Sequence, residues 1–284
     1  MEEAIRKADV LIEALPYIKS FHKKATVIKY GGSILGEERV RKGVLEDIVF
    51  LSYMGLRPVI VHGGGPNISD RMRKTGKKTD FVDGMRITDR ETLKIVEEEL
   101  ENLNKKIIKE IEGFGGKAKS FTSNTNAILK VEKKKSKVDL GLVGKMSDVN
   151  TEQILKDMSN HIIPIVSPMG KDSKGVTYNI NADEVASFLA AALKAVKFVL
   201  LTNVKGIMRD MDDQNSFLAS IKESEAKKLI KDKVIQEGMI PKIEACFSAI
   251  DGGVKKAHII DAKIPHALLI EIFTDKGIGT EIAR

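Results

Sequence analysis

Thr26-Val27-Ile28-Lys29-Tyr30-Gly31-Gly32-Ser33 decides the fold, because an apolar, β-branched run ends on a glycine pair, where a strand would hand over to a helix. The same grammar returns at Pro58-Val59-Ile60-Val61-His62-Gly63-Gly64-Gly65-Pro66. Outward from these two, short Val/Ile-rich segments at 26–30, 58–62, 117–121, 162–166, 198–202, 257–260 and 267–273 alternate with longer amphipathic ones. The latter lie near 37–54, 66–76, 89–112, 151–158, 183–195, 222–231 and 242–252. That alternation predicts an α/β chain with an open, mostly parallel sheet covered by helices on both faces. Segments 127–131 and 138–143 predict an antiparallel hairpin outside the sheet.

The 284 residues suffice for one large domain or two fused lobes, with a core that needs no covalent staples. A single cysteine, Cys246, excludes an internal disulfide framework and suits a reducing compartment. No apolar run approaches the roughly 18 residues of a membrane helix, so a soluble, cytoplasmic protein with no membrane association is expected. The formal net charge is +7, but the lysines are scattered, and the densest run, Lys133-Lys134-Lys135-Ser136-Lys137, reads as a solvated hairpin tip. Trp is absent, leaving little material for base stacking, which argues against nucleic acid as a partner. A mildly positive field would draw in anionic small molecules instead.

Both glycine clusters fall where a strand ends, the edge at which open parallel sheets bind ligands. Glycines let backbone N–H groups close around phosphate oxygens, and a pair of cations can flank a phosphoryl group in transfer. Lys29 stands beside Gly31-Gly32, and Lys242 follows Gly238-Met239-Ile240-Pro241. With Tyr178-Asn179-Ile180-Asn181-Ala182-Asp183 they read as a phosphate-transfer site, although either glycine cluster alone could be an ordinary strand-to-helix turn. The Walker spacing, the Gly-x-Gly-x-x-Gly dinucleotide pattern and the His-Arg-Asp of protein kinases are all missing.

These segments, with Phe81-Val82-Asp83-Gly84-Met85-Arg86-Ile87-Thr88-Asp89 and Leu201-Thr202-Asn203, resemble the amino acid kinase family nearly end to end, in its acetylglutamate kinase branch. The resemblance implies that family's three-layer αβα sandwich, with 21–196 as a lobe for N-acetyl-L-glutamate and 197–284 as a lobe for ATP. It implies phosphorylation of the side-chain carboxylate by ATP with Mg2+ in arginine biosynthesis. Lys29 and Lys242 are thereby assigned to the transferring phosphoryl group and Asp183 to holding both ammonium groups, an N-cap role for Asp183 being compatible. Gly31, Gly32, Gly64 and Gly65 would offer N–H groups to phosphate or substrate. Arg86 would fork onto a substrate carboxylate, with an ordinary surface pair as the alternative. Asn179 would hydrogen-bond the substrate, supported by Asn181. On the nucleotide side the resemblance points to Asn203, Lys205, Gly206, Gly238 and Met239, though Lys205 reads equally as a solvated loop lysine. A carboxylate of ordinary pKa, about 4.3, is already ionised, so no general base is required. No cluster of carboxylates suggests a metal held by the protein itself.

Residues 1–20 carry Ile5, Ala8, Ile12 and Leu15 at helical spacing before Pro16. By resemblance this is an N-terminal helix, over 1–20, that interlaces dimers into a hexamer, a trimer of dimers, inhibited by L-arginine. Tyr17, His258, Glu271 and Gly277 match the family's arginine pocket, with Glu271 facing the guanidinium. A helix packed on its own subunit and a core histidine form the alternative. Thr122-Ser123-Asn124-Thr125-Asn126 departs from a glycine-containing turn of the family, which is expected to alter the turn near the substrate pocket. A sister kinase for another carboxylate, a catalytically silent arginine and nucleotide binder and a basic RNA-binding module stay open beside the main reading.

Overall fold

The computed structural model describes residues 1–284 apart from 211–212, 236–237, 275–276 and 284, and apart from the side chains of residues 7, 33 and 214. Part of the segment between Glu271 and Gly277, and the side chain closing the first glycine motif, therefore lie outside the described residues.

Among the described residues eight strands form the central sheet. Their order is Ser220–Lys222, Thr280–Ala283, Lys256–Asp261, Lys197–Thr202, Ala25–Tyr30, Arg57–His62, Ile162–Val166 and Lys117–Phe121. Neighbours run parallel except where Thr280–Ala283 meets Lys256–Asp261. The central strands Ala25–Tyr30 and Lys197–Thr202 are buried at every position, as their apolar runs require for a strand covered on both faces. Side chains alternate across the sheet. Ile28 and Tyr30 join Leu45, Ile48, Ile107 and Leu268 in one core, while Val27 joins Val185, Leu189, Ile243 and Ala249 in the other. Helices Glu38–Tyr53, Arg90–Gly113 and Ala267–Phe273 thus cover one face, and Ala182–Ala192 and Ile240–Asp251 the other, as expected of an αβα sandwich.

Four expectations change. The segment 267–273 is a helix, Ala267–Phe273, and the final strand is Thr280–Ala283. An apolar run of that length suits either element. Burial of Ala267, Leu268, Glu271 and Ile272 gives the helical stripe. Outside the main sheet, Leu129–Lys133 pairs antiparallel with Gly144–Val149 rather than with 138–143, which makes only isolated bridges at Gly141 and Val143. Gly141 causes the difference: its φ is +70° and a Cβ there would lie 2.3 Å from the Thr88 carbonyl oxygen, so this stretch turns instead of extending. In the lysine run, Lys134 folds inward to Glu184 at 3.2 Å and Lys133 reaches Asp139 at 3.4 Å, so the run is only partly a solvated tip. Residues 1–20 form two helices instead of one, Glu2–Glu13 and Leu15–Phe21, with Pro16 in the first turn of the second. The second packs on Ala267–Phe273; the first leaves Ile5, Val10, Leu11 and Ile12 exposed. Among the described residues no helix is long and apolar enough to cross a membrane.

One buried ion pair locks the layer behind the first glycine turn. Arg41, 3% exposed, donates to both Glu110 oxygens and, at 2.6 Å, to the Leu35 carbonyl. It therefore joins helices Glu38–Tyr53 and Arg90–Gly113 to the short Gly32–Leu35 turn. Arg41→Ala leaves a half-buried carboxylate without its partner and should cost about 3 kcal/mol in urea unfolding. A loss under about 0.5 kcal/mol would reduce the pair to a surface ornament.

Candidate active site

Three neighbouring strands deliver their carboxyl ends to one place: 63–65 follows Arg57–His62, 31–32 follows Ala25–Tyr30, and 203–206 follows Lys197–Thr202. At Gly32 an added Cβ would stand 2.9 Å from Pro66 Cδ, 3.1 Å from Gly65 N and 3.3 Å from Gly64 N. Only glycine lets the two turns approach so closely. Gly64 caps, and Gly65 opens, helix Gly65–Lys74, while Gly31 caps and Gly32 opens Gly32–Leu35, positions whose N–H groups have no intrahelical acceptor. The N–H groups of Gly32, Gly64 and Gly65 have no acceptor among the described residues. Their crowding, with the positive end of a ten-residue helix behind two of them, makes an anion cradle.

Beside it stands the charged centre. Lys29 Nζ lies 2.8 Å from Asp183 Oδ1, and Lys242 Nζ lies 3.8 Å from Asp183 Oδ2. Lys29 is 8% and Asp183 7% exposed. Burial pushes the Asp183 pKa up, but the nearby Lys29 and Lys242 charges outweigh it and hold the group below its ordinary value. Lys242, which also donates to the Gly238 carbonyl at 3.2 Å, has its pKa lowered by burial and by Lys29, against the pull of Asp183. Asp183 is not the cap of its helix: Asn181 is, its Oδ1 accepting from Asp183 N at 2.7 Å and Glu184 N at 3.4 Å. Asp183 in the first turn is thereby left to the lysines.

Lys29, Asp183, Gly32, Gly64, Gly65, Arg86, Asn179 and Asn181 all line one cavity of about 260 Å³. A hairpin of two short strands, Phe81–Val82 and Met85–Arg86, contributes to its wall, turning at Asp83 (φ +49°) and Gly84 (φ +73°) as an Asp-Gly turn allows. Arg86, 5% exposed, donates to Ser69 Oγ at 2.8 Å and the Gly65 carbonyl at 3.0 Å, with its guanidinium 4.7 Å from the Phe81 ring centre. It has no carboxylate partner among the described residues, and burial lowers its pKa. The surface-pair alternative therefore fails. Asn179 donates to Thr88 Oγ1 at 3.3 Å, and Asp89 caps helix Arg90–Gly113, so part of the 84–89 motif is scaffold.

A second cavity of about 230 Å³ is lined by Asn203, Gly206, Gly238, Met239 and Lys242, together with apolar Val204, Ile207, Met208, Val234 and Ile235. Gly206 adopts φ +129°, where a Cβ would meet Thr280 Oγ1 at 2.5 Å. Lys205 is exposed and outside this lining. Asp183 stands at the junction, lining the first cavity while contacting Lys242 of the second. The 122–126 turn lines neither cavity. Among the described residues no three His, Cys, Asp or Glu side chains converge as a metal cage.

Elsewhere His258, Glu271 and Gly277 also come together. His258 Nδ1 is 2.6 Å from Glu271 Oε1, and a Cβ on Gly277 would be 2.7 Å from Glu271 Oε2. Burial raises the Glu271 pKa, but the bond and charge of His258, the Lys197 ammonium and the Ile278 N–H overcome it and hold it at about 2. Tyr17 is half-buried on the helix that packs against this one. Lys197, whose Nζ donates to the Glu271 carbonyl at 2.9 Å, was not anticipated; a lysine opening an apolar strand carries no local signal of its partner. The buried Asn104–His62 contact was missed too, although a polar residue within the stripe of Leu100, Leu103, Ile107 and Ile111 was the available clue.

Residues 24–261 match the profile of the Amino acid kinase family. The chain is 47% identical over 295 residues to an acetylglutamate kinase of Methanocaldococcus jannaschii, covering 100% of this chain and 98% of that protein. It is 44% identical over 288 residues to that of Halothermothrix orenii, covering 100% and 99%. Among solved structures, N-acetylglutamate synthase from Neisseria gonorrhoeae, complexed with coenzyme A and N-acetyl-glutamate, superposes at TM-score 0.87 with 24% identity. It matches 98% of this chain, which spans 63% of the synthase, and the likeness is one of fold.

Gly32→Ala tests the cradle. The new methyl has backbone and a rigid proline ring to displace, so catalytic turnover of the phosphate donor should fall at least about 10-fold while the far-UV CD spectrum is kept. Undiminished turnover in this variant would show that the two turns need not meet.

Proposed function

The chain belongs to the amino acid kinase family, and we propose that it transfers phosphate from ATP to the side-chain carboxylate of N-acetyl-L-glutamate. The product is N-acetyl-L-glutamyl 5-phosphate, a step of L-arginine biosynthesis. The observation that carries this reading is the joint grip of Lys29 and Lys242 on Asp183 between an amide-lined cavity and an apolar one. The relatives named acetylglutamate kinase, matched over the full chain, support the choice of substrate.

A carboxylate oxygen of the substrate attacks the γ-phosphorus; the new P–O bond forms as the bond to ADP breaks, and the electron pair leaves on ADP. No proton moves, which suits a site where the buried Asp183 is held ionised. Two anions must approach in line, so the work is positioning and charge compensation. Lys29 and Lys242 face the transferring group, with Asp183 keeping both ammonium groups converged. The Gly32, Gly64 and Gly65 N–H groups point toward developing charge on phosphoryl oxygens. Arg86, buried and without a carboxylate partner among the described residues, takes a second carboxylate of the substrate, and Asn179 adds a hydrogen bond. Asn181 supports them as a cap. The second cavity accepts adenosine against Val204, Ile207 and Met208, with Asn203, Gly206, Gly238 and Met239 around it; Gly31 serves by shaping the first turn. Mg2+, carried on phosphate oxygens, supplies further charge neutralisation when bound. The lobes divide near residue 196, and a cytoplasmic location accords with the lone, buried, reduced Cys246.

The reading extends to feedback inhibition by L-arginine at Tyr17, His258, Glu271 and Gly277, in a hexamer assembled through Glu2–Glu13. The exposed apolar face of that helix and the buried acid on Ala267–Phe273 support it. Glu271 is already engaged internally, so a guanidinium must compete with His258 and Lys197 for its oxygens.

ADP release dependent on N-acetyl-L-glutamate, with the acyl phosphate trapped as a hydroxamate, tests the reaction. Release with glutamate, aspartate or carbamate instead would move it to a sister kinase, and none at all would leave a silent binder. Lys29→Ala should lower kcat roughly 100-fold or more, about 3 kcal/mol, by removing one preorganised charge. Near-normal turnover there refutes its role. L-Arginine at millimolar concentration should inhibit the wild type and leave Glu271→Gln less sensitive; no binding by calorimetry ends the regulatory reading.

A further inference from the structure

His62 is fully buried at the end of the strand that leads into 63–65, and the chemistry above gives it nothing to do. Its contacts nonetheless determine where its proton sits. Asn104 Nδ2 lies 3.0 Å from the Ile165 carbonyl oxygen, an obligate acceptor, so the amide must present its NH2 there. The same NH2 lies 3.3 Å from His62 Nε2, which must therefore accept. Asn104 keeps this orientation although its Oδ1 has no partner among the described residues. A neutral ring with Nε2 accepting carries its hydrogen on Nδ1, and Nδ1 is 3.2 Å from the Gly63 carbonyl oxygen. Burial keeps the ring neutral, drawing its pKa down to about 4.

The Gly63 carbonyl and the Gly64 N–H belong to one rigid trans peptide plane and point in opposite directions. Holding the oxygen toward His62 turns the N–H the other way, and its nitrogen borders the Gly32 turn, 3.3 Å from where a Cβ on Gly32 would stand. We propose that His62 and Asn104 are positioning residues, a relay from the Ile165 carbonyl that aims the Gly64 N–H at the transferring phosphoryl group. This rests on the kinase reading above. Glycines on either side place little steric restraint on this plane; Gly63 N donates to the Tyr30 carbonyl and Ile68 N to the Gly64 carbonyl beside it, and the relay adds the hold on its own oxygen.

Asparagine and glutamine separate the two ring nitrogens: His62→Asn returns an N–H where Nδ1 stood, whereas His62→Gln returns an amide where Nε2 stood. The expected result is kcat lowered about 10- to 100-fold in His62→Gln, with KM for ATP little changed, because the cost falls on transition-state charge. His62→Asn should keep kcat within about 5-fold of wild type although both variants lose thermal stability alike. Equal kcat in the two variants, whether both unchanged or both slow, overturns the proposal, as does a loss that follows melting temperature. Should either variant fail to fold, 15N imidazole shifts of the wild type decide, since a proton on Nε2 contradicts the relay. Wild-type ADP release with N-acetyl-L-glutamate tests the reaction separately, so the two ideas can fail independently.

Discussion

Lys29 lies in a strand covered on both faces, where a cation needs a counter-charge to stay dissolved in protein. Asp183 supplies it from the first turn of the helix on that face, and Lys242 reaches the same carboxylate from the start of another. Among the described residues these two positive charges share one carboxylate, which leaves a local positive excess. The rest of the architecture is arranged around that imbalance: glycine turns bring amides to one side, and an apolar hollow opens on the other.

The sheet explains why these pieces coincide. Buried strands tolerate polar side chains chiefly where the ladder ends, and three adjacent strands end side by side. Lys29 in the first, the Gly63 plane after the second and Asn203 after the third are thereby fixed relative to one another by backbone hydrogen bonds rather than by long side chains. Arg41 reinforces this from behind by tying the Leu35 carbonyl to two helices.

Much of this was written locally. A β-branched run closing on glycines is a short-range signal, so both strand-to-helix turns could be read directly, whereas Arg86 and Asn179 were reached through the family resemblance. What escaped was pairing across distance. Lys197 and Glu271 are 74 residues apart and His62 and Asn104 are 42 apart, so nothing near either member announces the other. The helix Ala267–Phe273 escaped for another reason: a seven-residue apolar run has no period that separates helix from strand until its neighbours choose the face it buries. Asn181 illustrates a third limit, since adjacent polar residues compete for one cap and only the backbone dihedrals select the winner.

Among the described residues the buried Arg86 guanidinium meets no carboxylate. A buried cation without a counter-ion makes the unliganded fold less durable than the same fold with an anion in place. Any anion that pairs with this guanidinium would therefore raise the melting temperature with the logarithm of its concentration.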